Sequence, residues 1–107
     1  MNTTAASDTE NEVFELEADL EKAAVRWARA RGWHSRKYRT AGRRAEPDRI
    51  FIRSGHVLFV EFKRVGNVPT AQQWLAIDDL RAAGADVVWL DSIEDFRAVL
   101  IDREARK

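Results

Sequence analysis

The sequence predicts an α/β domain with the order α-β-β-β-α-β-α, a mixed sheet flanked by helices. Three observations carry that prediction. Two glycine-stopped segments repeat apolar residues at helical spacing, two β-branched runs flank Ser54-Gly55, and one short apolar run stands between helical patterns.

The first helix is expected from about residue 12 to 31, where Leu16, Leu20, Ala23, Ala24, Trp27 and Ala28 recur every three to four positions before Gly32. Residues 33–39, aromatic near both ends and polar between, read as a strand. Residues 40–47 contain Gly42, basic residues and Pro47, and read as a loop. Residues 48–53 and 57–63 then form a hairpin around Ser54-Gly55. A loop over 64–69 leads to a helix over 70–83 carrying Trp74, Ile77 and Leu80, stopped by Gly84. Residues 86–90 form a short apolar strand. Asp91 or Ser92 caps a last helix with Ile93, Phe96, Val99 and Leu100 inward.

A chain of 107 residues sustains one core, so the expected organisation is a disordered polar tail over 1–11 and a single domain over 12–107. No apolar run approaches the roughly 18 residues of a membrane helix. The N-terminus carries no signal-peptide pattern, and cysteine is absent, so a cytoplasmic protein is expected. The formal net charge is zero, yet the charges are sorted along the chain. Between Lys22 and Arg53 there are 11 basic residues against only Glu46 and Asp48. A basic middle of this kind suits a phosphate-bearing partner; an ordinary solvated Arg-rich helix and loop would read the same way.

The hairpin gives the sharpest expectation. A two-residue turn at Ser54-Gly55 pairs residues whose numbers sum to 109, setting Ile52 against Val57, Ile50 against Phe59, and Asp48 against Glu61. Strand alternation then puts Asp48, Glu61 and Lys63 on one face. Opposed carboxylates lie about 4.5–5.5 Å apart at Cβ and repel, so a cation belongs between them. Lys63 alone could serve, as an ion pair or triad. A hard divalent cation is the alternative, since Mg²⁺ takes a few carboxylate oxygens, keeps its waters and binds phosphate.

These residues resemble a known signature. Pro47-Asp48, a gap of 12 residues, then Glu61-Phe62-Lys63 is similar to the P-D…[DE]-x-K pattern of the restriction-endonuclease-like nucleases. The similarity extends from about Glu17 to Phe96 and resembles the VRR-NUC branch. Its pieces are Arg31-Gly32-Trp33, Lys37, Pro47-Asp48-Arg49, Phe59 to Lys63, Pro69 to Gln73 and Leu80 to Gly84, in that order. One departure is Ala45, where the branch usually has glycine, and it bears on the local turn.

The resemblance implies a restriction-endonuclease-like fold with Asp48, Glu61 and the Phe62 carbonyl on Mg²⁺ or Mn²⁺. It also implies Lys63 serving the attacking water, Glu17 as an accessory acid from the first helix, and Gln73 completing the site. Two alternatives stay open. Glu21 lies one turn after Glu17 near the same helix face, and Gln72 neighbours Gln73, which also fits a capping box with Thr70.

Lys37 and Arg39 are the foremost candidates for phosphate contact, followed by Arg36, Arg43 and Arg44. His34 and His56 have no partner at metal-binding spacing and read as ordinary polar positions. Trp27, Trp74 and Trp89 fall on apolar patterns and are expected in the core, although tryptophans can also stack on unpaired bases.

The implied activity is metal-dependent hydrolysis of phosphodiester bonds in DNA, branched DNA such as four-way junctions included, by a homodimer with no membrane association. A binding module that keeps the fold without chemistry is the second reading, and an unrelated α/β interaction domain with a surface salt network is the third. Intact Asp48, Glu61 and Lys63 favour the enzyme over the binding module.

Overall fold

The computed structural model describes residues 13–39 and 45–106. The expected tail over 1–11, most of the 40–47 loop, and the candidates Arg43 and Arg44 lie outside the described residues. The elements are α1 (Glu17–Ala30), β1 (His34–Lys37), β2 (Arg49–Arg53), β3 (His56–Phe62), α2 (Ala71–Ala82), β4 (Asp86–Leu90) and α3 (Ile93–Ala105). The predicted order holds throughout.

Boundaries moved where local chemistry dictates. α1 begins at Glu17 rather than near residue 12, with Leu16 as an N-cap that makes no side-chain cap bond and Glu17 and Asp19 in the positive first turn. It stops as expected. Gly32 adopts φ +90°, which lets Trp33 N donate to Ala28 O and Gly32 N donate to Arg29 O, a Schellman closure. Gly84, at φ +96°, closes α2 by the same pair of bonds, to Leu80 O and Arg81 O.

The sheet runs in sequence order, with β1-β2 and β2-β3 antiparallel and β3-β4 parallel. Helix α2 is the connection that the parallel pair requires. Ser54 and Gly55 both take positive φ, as a type I′ turn demands, and the hairpin register sums to 109 from Arg53↔His56 to Arg49↔Val60.

The main core lies between the sheet and the α1–α3 pair. Phe51, Leu58, Val60 and Phe62 point into it, and Leu20, Ala24 and Ala28 meet them from α1. Phe96 of α3 packs against Phe51 at 5.2 Å and Phe62 at 5.8 Å between ring centroids. The other face carries Phe59, Val87 and Trp89 and is covered in part by α2, with Ala76 and Ile77 buried and Trp74 against Trp89 at 6.3 Å.

The tryptophan expectation needs correction. Trp74 is 36% exposed, whereas Trp27, half-buried, packs on the core and against Phe96; Trp89 is half-buried, and Trp33, not expected there, is 2% exposed. Trp33 sits just after the Gly32 closure, the position whose side chain packs back on the helix, and its Nε1 donates to Glu104 Oε2 at 2.9 Å. No helix among the described residues is long and apolar enough to cross a membrane.

Candidate active site

The site starts where β2 runs out. In the 109 register Pro47 would stand opposite Phe62, but proline has no N–H and ends the ladder there. Asp48 takes over with its side chain: Oδ2 accepts a 2.8 Å hydrogen bond from Phe62 N, while Asp48 N donates to Val60 O at 3.0 Å. That backbone bond is one residue out of register, a bulge-like offset at the strand's end. The expected direct opposition of Asp48 and Glu61 is therefore replaced by a carboxylate tied to the β3 backbone one residue further on. The physical cause is the missing donor of Pro47.

Glu61 points to the α2 side beside its parallel partner Trp89 and is 2% exposed. Its Oε2 accepts from Gln73 Nε2 at 3.0 Å and lies 3.7 Å from Lys63 Nζ. Its other oxygen, Oε1, is buried with no hydrogen-bond partner among the described residues. Lys63, 8% exposed, is anchored by Lys63 N donating to Leu90 O at 2.8 Å. The three residues of the sequence signature thus converge at the end of β3 where β2 stops.

Gln73 does two things at once. Thr70 Oγ1 accepts from Gln73 N at 3.2 Å and Gln73 Oε1 accepts from Thr70 N at 2.9 Å, the expected capping box. The same amide's Nε2 reaches Glu61. Gln72 is exposed and makes neither contact.

The two acids of α1 also separate. Glu21 Oε2 accepts from Arg49 Nε at 2.5 Å and lies 3.5 Å from Lys37 Nζ, so cations hold it. Glu17 has no such partner among the described residues, and its charge bears on both Asp48 and Glu61. Burial, with the Asp48 charge next in weight, pushes the Glu61 carboxyl up to about 8; Lys63 only partly offsets this. Asp48 is likewise raised, first by burial and then by Glu21 and Glu17, against the Phe62 N–H and Lys63, which lower it.

One buried and one half-buried acid with raised proton affinity, and one orphaned carboxylate oxygen, describe a place short of positive charge. A divalent cation fits that deficit. No three His, Cys, Asp or Glu side chains form a ready-made metal cage among the described residues. A carboxylate pair is still sufficient for an ion that keeps several waters.

Of the phosphate candidates, Lys37 and Arg36 point to opposite faces of β1. Lys37 turns toward α1 and Glu21, and Arg36 shares the side of Ile50 and Phe59. Arg39 is exposed. Arg49 was missed by sequence reasoning: it bridges Glu21 and Ser35 Oγ at 3.3 Å, and its only signal was its place directly after Asp48. His56 is not a free turn residue. Its Nε2 lies 2.7 Å from Asp86 Oδ2, which Arg103 also contacts, far from the acids at the other end of β3.

No family model matches the chain. A curated protein of Acyrthosiphon pisum secondary endosymbiont phage 1, named "Putative nuclease p44", is 36% identical over 85 residues, covering 78% of this chain and 90% of that protein. Among solved structures, one titled "VRR_NUC domain" superposes with a TM-score of 0.73 at 27% identity, covering 78% of this chain and 92% of the other.

Proposed function

We propose that this chain, which belongs to the VRR-NUC domain nucleases, hydrolyses phosphodiester bonds in DNA with a divalent cation, Mg²⁺ or Mn²⁺, held by Asp48 and Glu61. The observation that carries the reading is the buried, partnerless Oε1 of Glu61 beside a second raised carboxylate and the Lys63 ammonium. The Phe62 carbonyl would add a further ligand. When bound, the ion supplies Lewis-acid polarisation of the phosphate and makes a water more acidic.

The chain's own groups do the positioning. Phe62 N holds Asp48 Oδ2, and Gln73 Nε2 with Lys63 holds Glu61 Oε2, which leaves the remaining oxygens for the cation. Lys63 orients the attacking water and offsets the negative charge that grows on the phosphoryl oxygens as the water oxygen bonds to phosphorus. The attacking water loses a proton to solvent, one P–O ester bond breaks, and the leaving oxygen takes up a proton from water. Glu17, with no cation beside it among the described residues, is the accessory acid from α1.

Lys37, Arg39 and Arg36 contact phosphates, as do Arg43 and Arg44. Selectivity by DNA shape rather than by base sequence makes branched substrates such as four-way junctions the preferred class. Cutting both strands calls for a homodimer with two sites related by a two-fold axis.

The experiment is a panel of duplex, flap, splayed-arm, four-way-junction and single-stranded DNA with Mg²⁺, Mn²⁺ or chelator. Metal-dependent cleavage strongest on the branched members supports the reading. Junction binding in chelator with no nicking in Mn²⁺ would instead favour a binding module.

A further inference from the structure

Beside the acids, between α1 and β1, runs a groove of about 570 Å³. Among the described residues its charged walls are Lys22, Arg26 and Arg29 from α1, Lys37 from β1 and Arg49 from β2, against the single acid Glu21. Five cations against one acid leave a surplus of four positive charges. Glu21 is engaged by Arg49 and Lys37, and Arg29 NH2 donates to Ser35 O at 3.4 Å. Lys22 and Arg26 form no ion pair among the described residues, and both are exposed. A second groove of about 710 Å³, sharing Lys22 and Arg26, carries Glu15 and Asp19 as well and so lacks this surplus.

The placement gives the charge a direction. Lys22, Arg26 and Arg29 recur at helical spacing along one side of α1, and Ala18 to Arg29 spans about 16 Å at 1.5 Å per residue. That length accommodates several consecutive phosphates of one strand. The groove's acid end lies toward the site: the charge of its Glu21, like that of Glu17 one turn earlier on α1, bears on Asp48.

Resting on the nuclease reading, we infer that this α1–β1 groove binds the sugar-phosphate backbone of the DNA arm leading to the Asp48–Glu61 centre, with Lys22 and Arg26 as its principal phosphate contacts. Arg49 and Lys37, tied to Glu21, form the floor. Because these cations address phosphate and no base edge, the contact is independent of sequence.

The test is fluorescence anisotropy of labelled duplex and four-way-junction DNA in chelator, across a salt series, for wild type, Lys22→Ala/Arg26→Ala, Lys22→Arg/Arg26→Lys and Arg106→Ala. Each lost phosphate contact lowers the salt slope by about 0.9, so the double alanine variant should lose about 1.8 from the slope. It should also bind at least about tenfold more weakly at low salt, with cleavage impaired through KM rather than kcat. The charge-conserving pair should retain the wild-type slope, as should Arg106→Ala, whose charge is paired with Asp102 at the end of α3. Both α1 positions are exposed and alanine favours helix, so folding is preserved. A wild-type slope in the double alanine variant overturns the groove assignment and leaves the nuclease reading standing if cutting still requires Lys63. A wild type that neither binds nor cuts DNA overturns both.

Discussion

The Nε2 of Gln73 donates to Glu61 Oε2 at 3.0 Å while the Oε1 of the same amide caps the first turn of α2. One side chain therefore fixes both where α2 starts and how a buried carboxylate is oriented. Gln73→Glu keeps an acceptor for the Thr70 N–H but loses the donor and sets a like charge against Glu61. Cleavage should fall about ten- to a hundredfold, in the range seen for groups that orient ligands. Gln73→Ala should lose the cap as well, about 1 kcal/mol in a denaturant melt.

The proton affinity of Glu61 sets a pH dependence whose sign is opposite to that of most carboxylates. Its folded value of about 8 lies above its ordinary 4.5, so the folded protein holds a proton that the unfolded chain has released. In chelator, stability should therefore fall as pH rises from about 4.5 to about 8, by as much as roughly 4–5 kcal/mol at 1.36 kcal/mol per pH unit. Asp48 shifts in the same direction. Glu104, held near 2 first by the Arg31 hydrogen bond, works the other way, but its contribution is lost only below its ordinary 4.5 and leaves this window clear. Thermal melts from pH 5 to 8.5 check the slope. Glu61→Gln should flatten it, added Mg²⁺ or Mn²⁺ should lessen the fall, and an identical slope in Glu61→Gln would refute the assignment.

Asp48 separates chemistry from architecture. Asn at this position can still accept from Phe62 N, so Asp48→Asn should fold with little loss and yet cut poorly. Asp48→Ala leaves the Phe62 N–H unpaired at the end of the sheet and should cost about 1–3 kcal/mol in addition. Circular dichroism melts beside a cleavage assay distinguish the two.

Glu104 anchors the other end of α1 from Glu17. Glu104→Leu strands the buried indole N–H of Trp33 and removes the Arg31 pairing, whereas Glu104→Gln keeps an acceptor. The leucine variant should lose about 1–3 kcal/mol, roughly 4–8 °C in Tm per kcal/mol for a domain of this size. The glutamine variant should lose less.

The hairpin was readable because the turn and the alternation both act locally. Positive φ at Ser54 and Gly55 sets the type I′ turn, and the turn sets the register down to Arg49↔Val60. The same arithmetic overshot by one pair, since it ignored what a proline does to a ladder. Helix stops at Gly32 and Gly84 were equally local. What stayed hidden was long-range: Arg49 with Glu21 across 28 positions, Trp33 with Glu104 across 71, and His56 with Asp86 across 30. Trp74 failed as a core residue because α2 covers only part of its sheet face, a property of the packing and not of the α2 pattern.

The proposed chemistry has Lys63 work on a phosphate beside acids that would hold a divalent cation. Its most direct test compares wild type with Lys63→Ala for cleavage of four-way-junction DNA in Mn²⁺, with calorimetry of Mn²⁺ binding to both. Lys63→Ala should still bind the cation and the junction while its cleavage drops at least about a hundredfold. Cleavage by Lys63→Ala at the wild-type rate would contradict it.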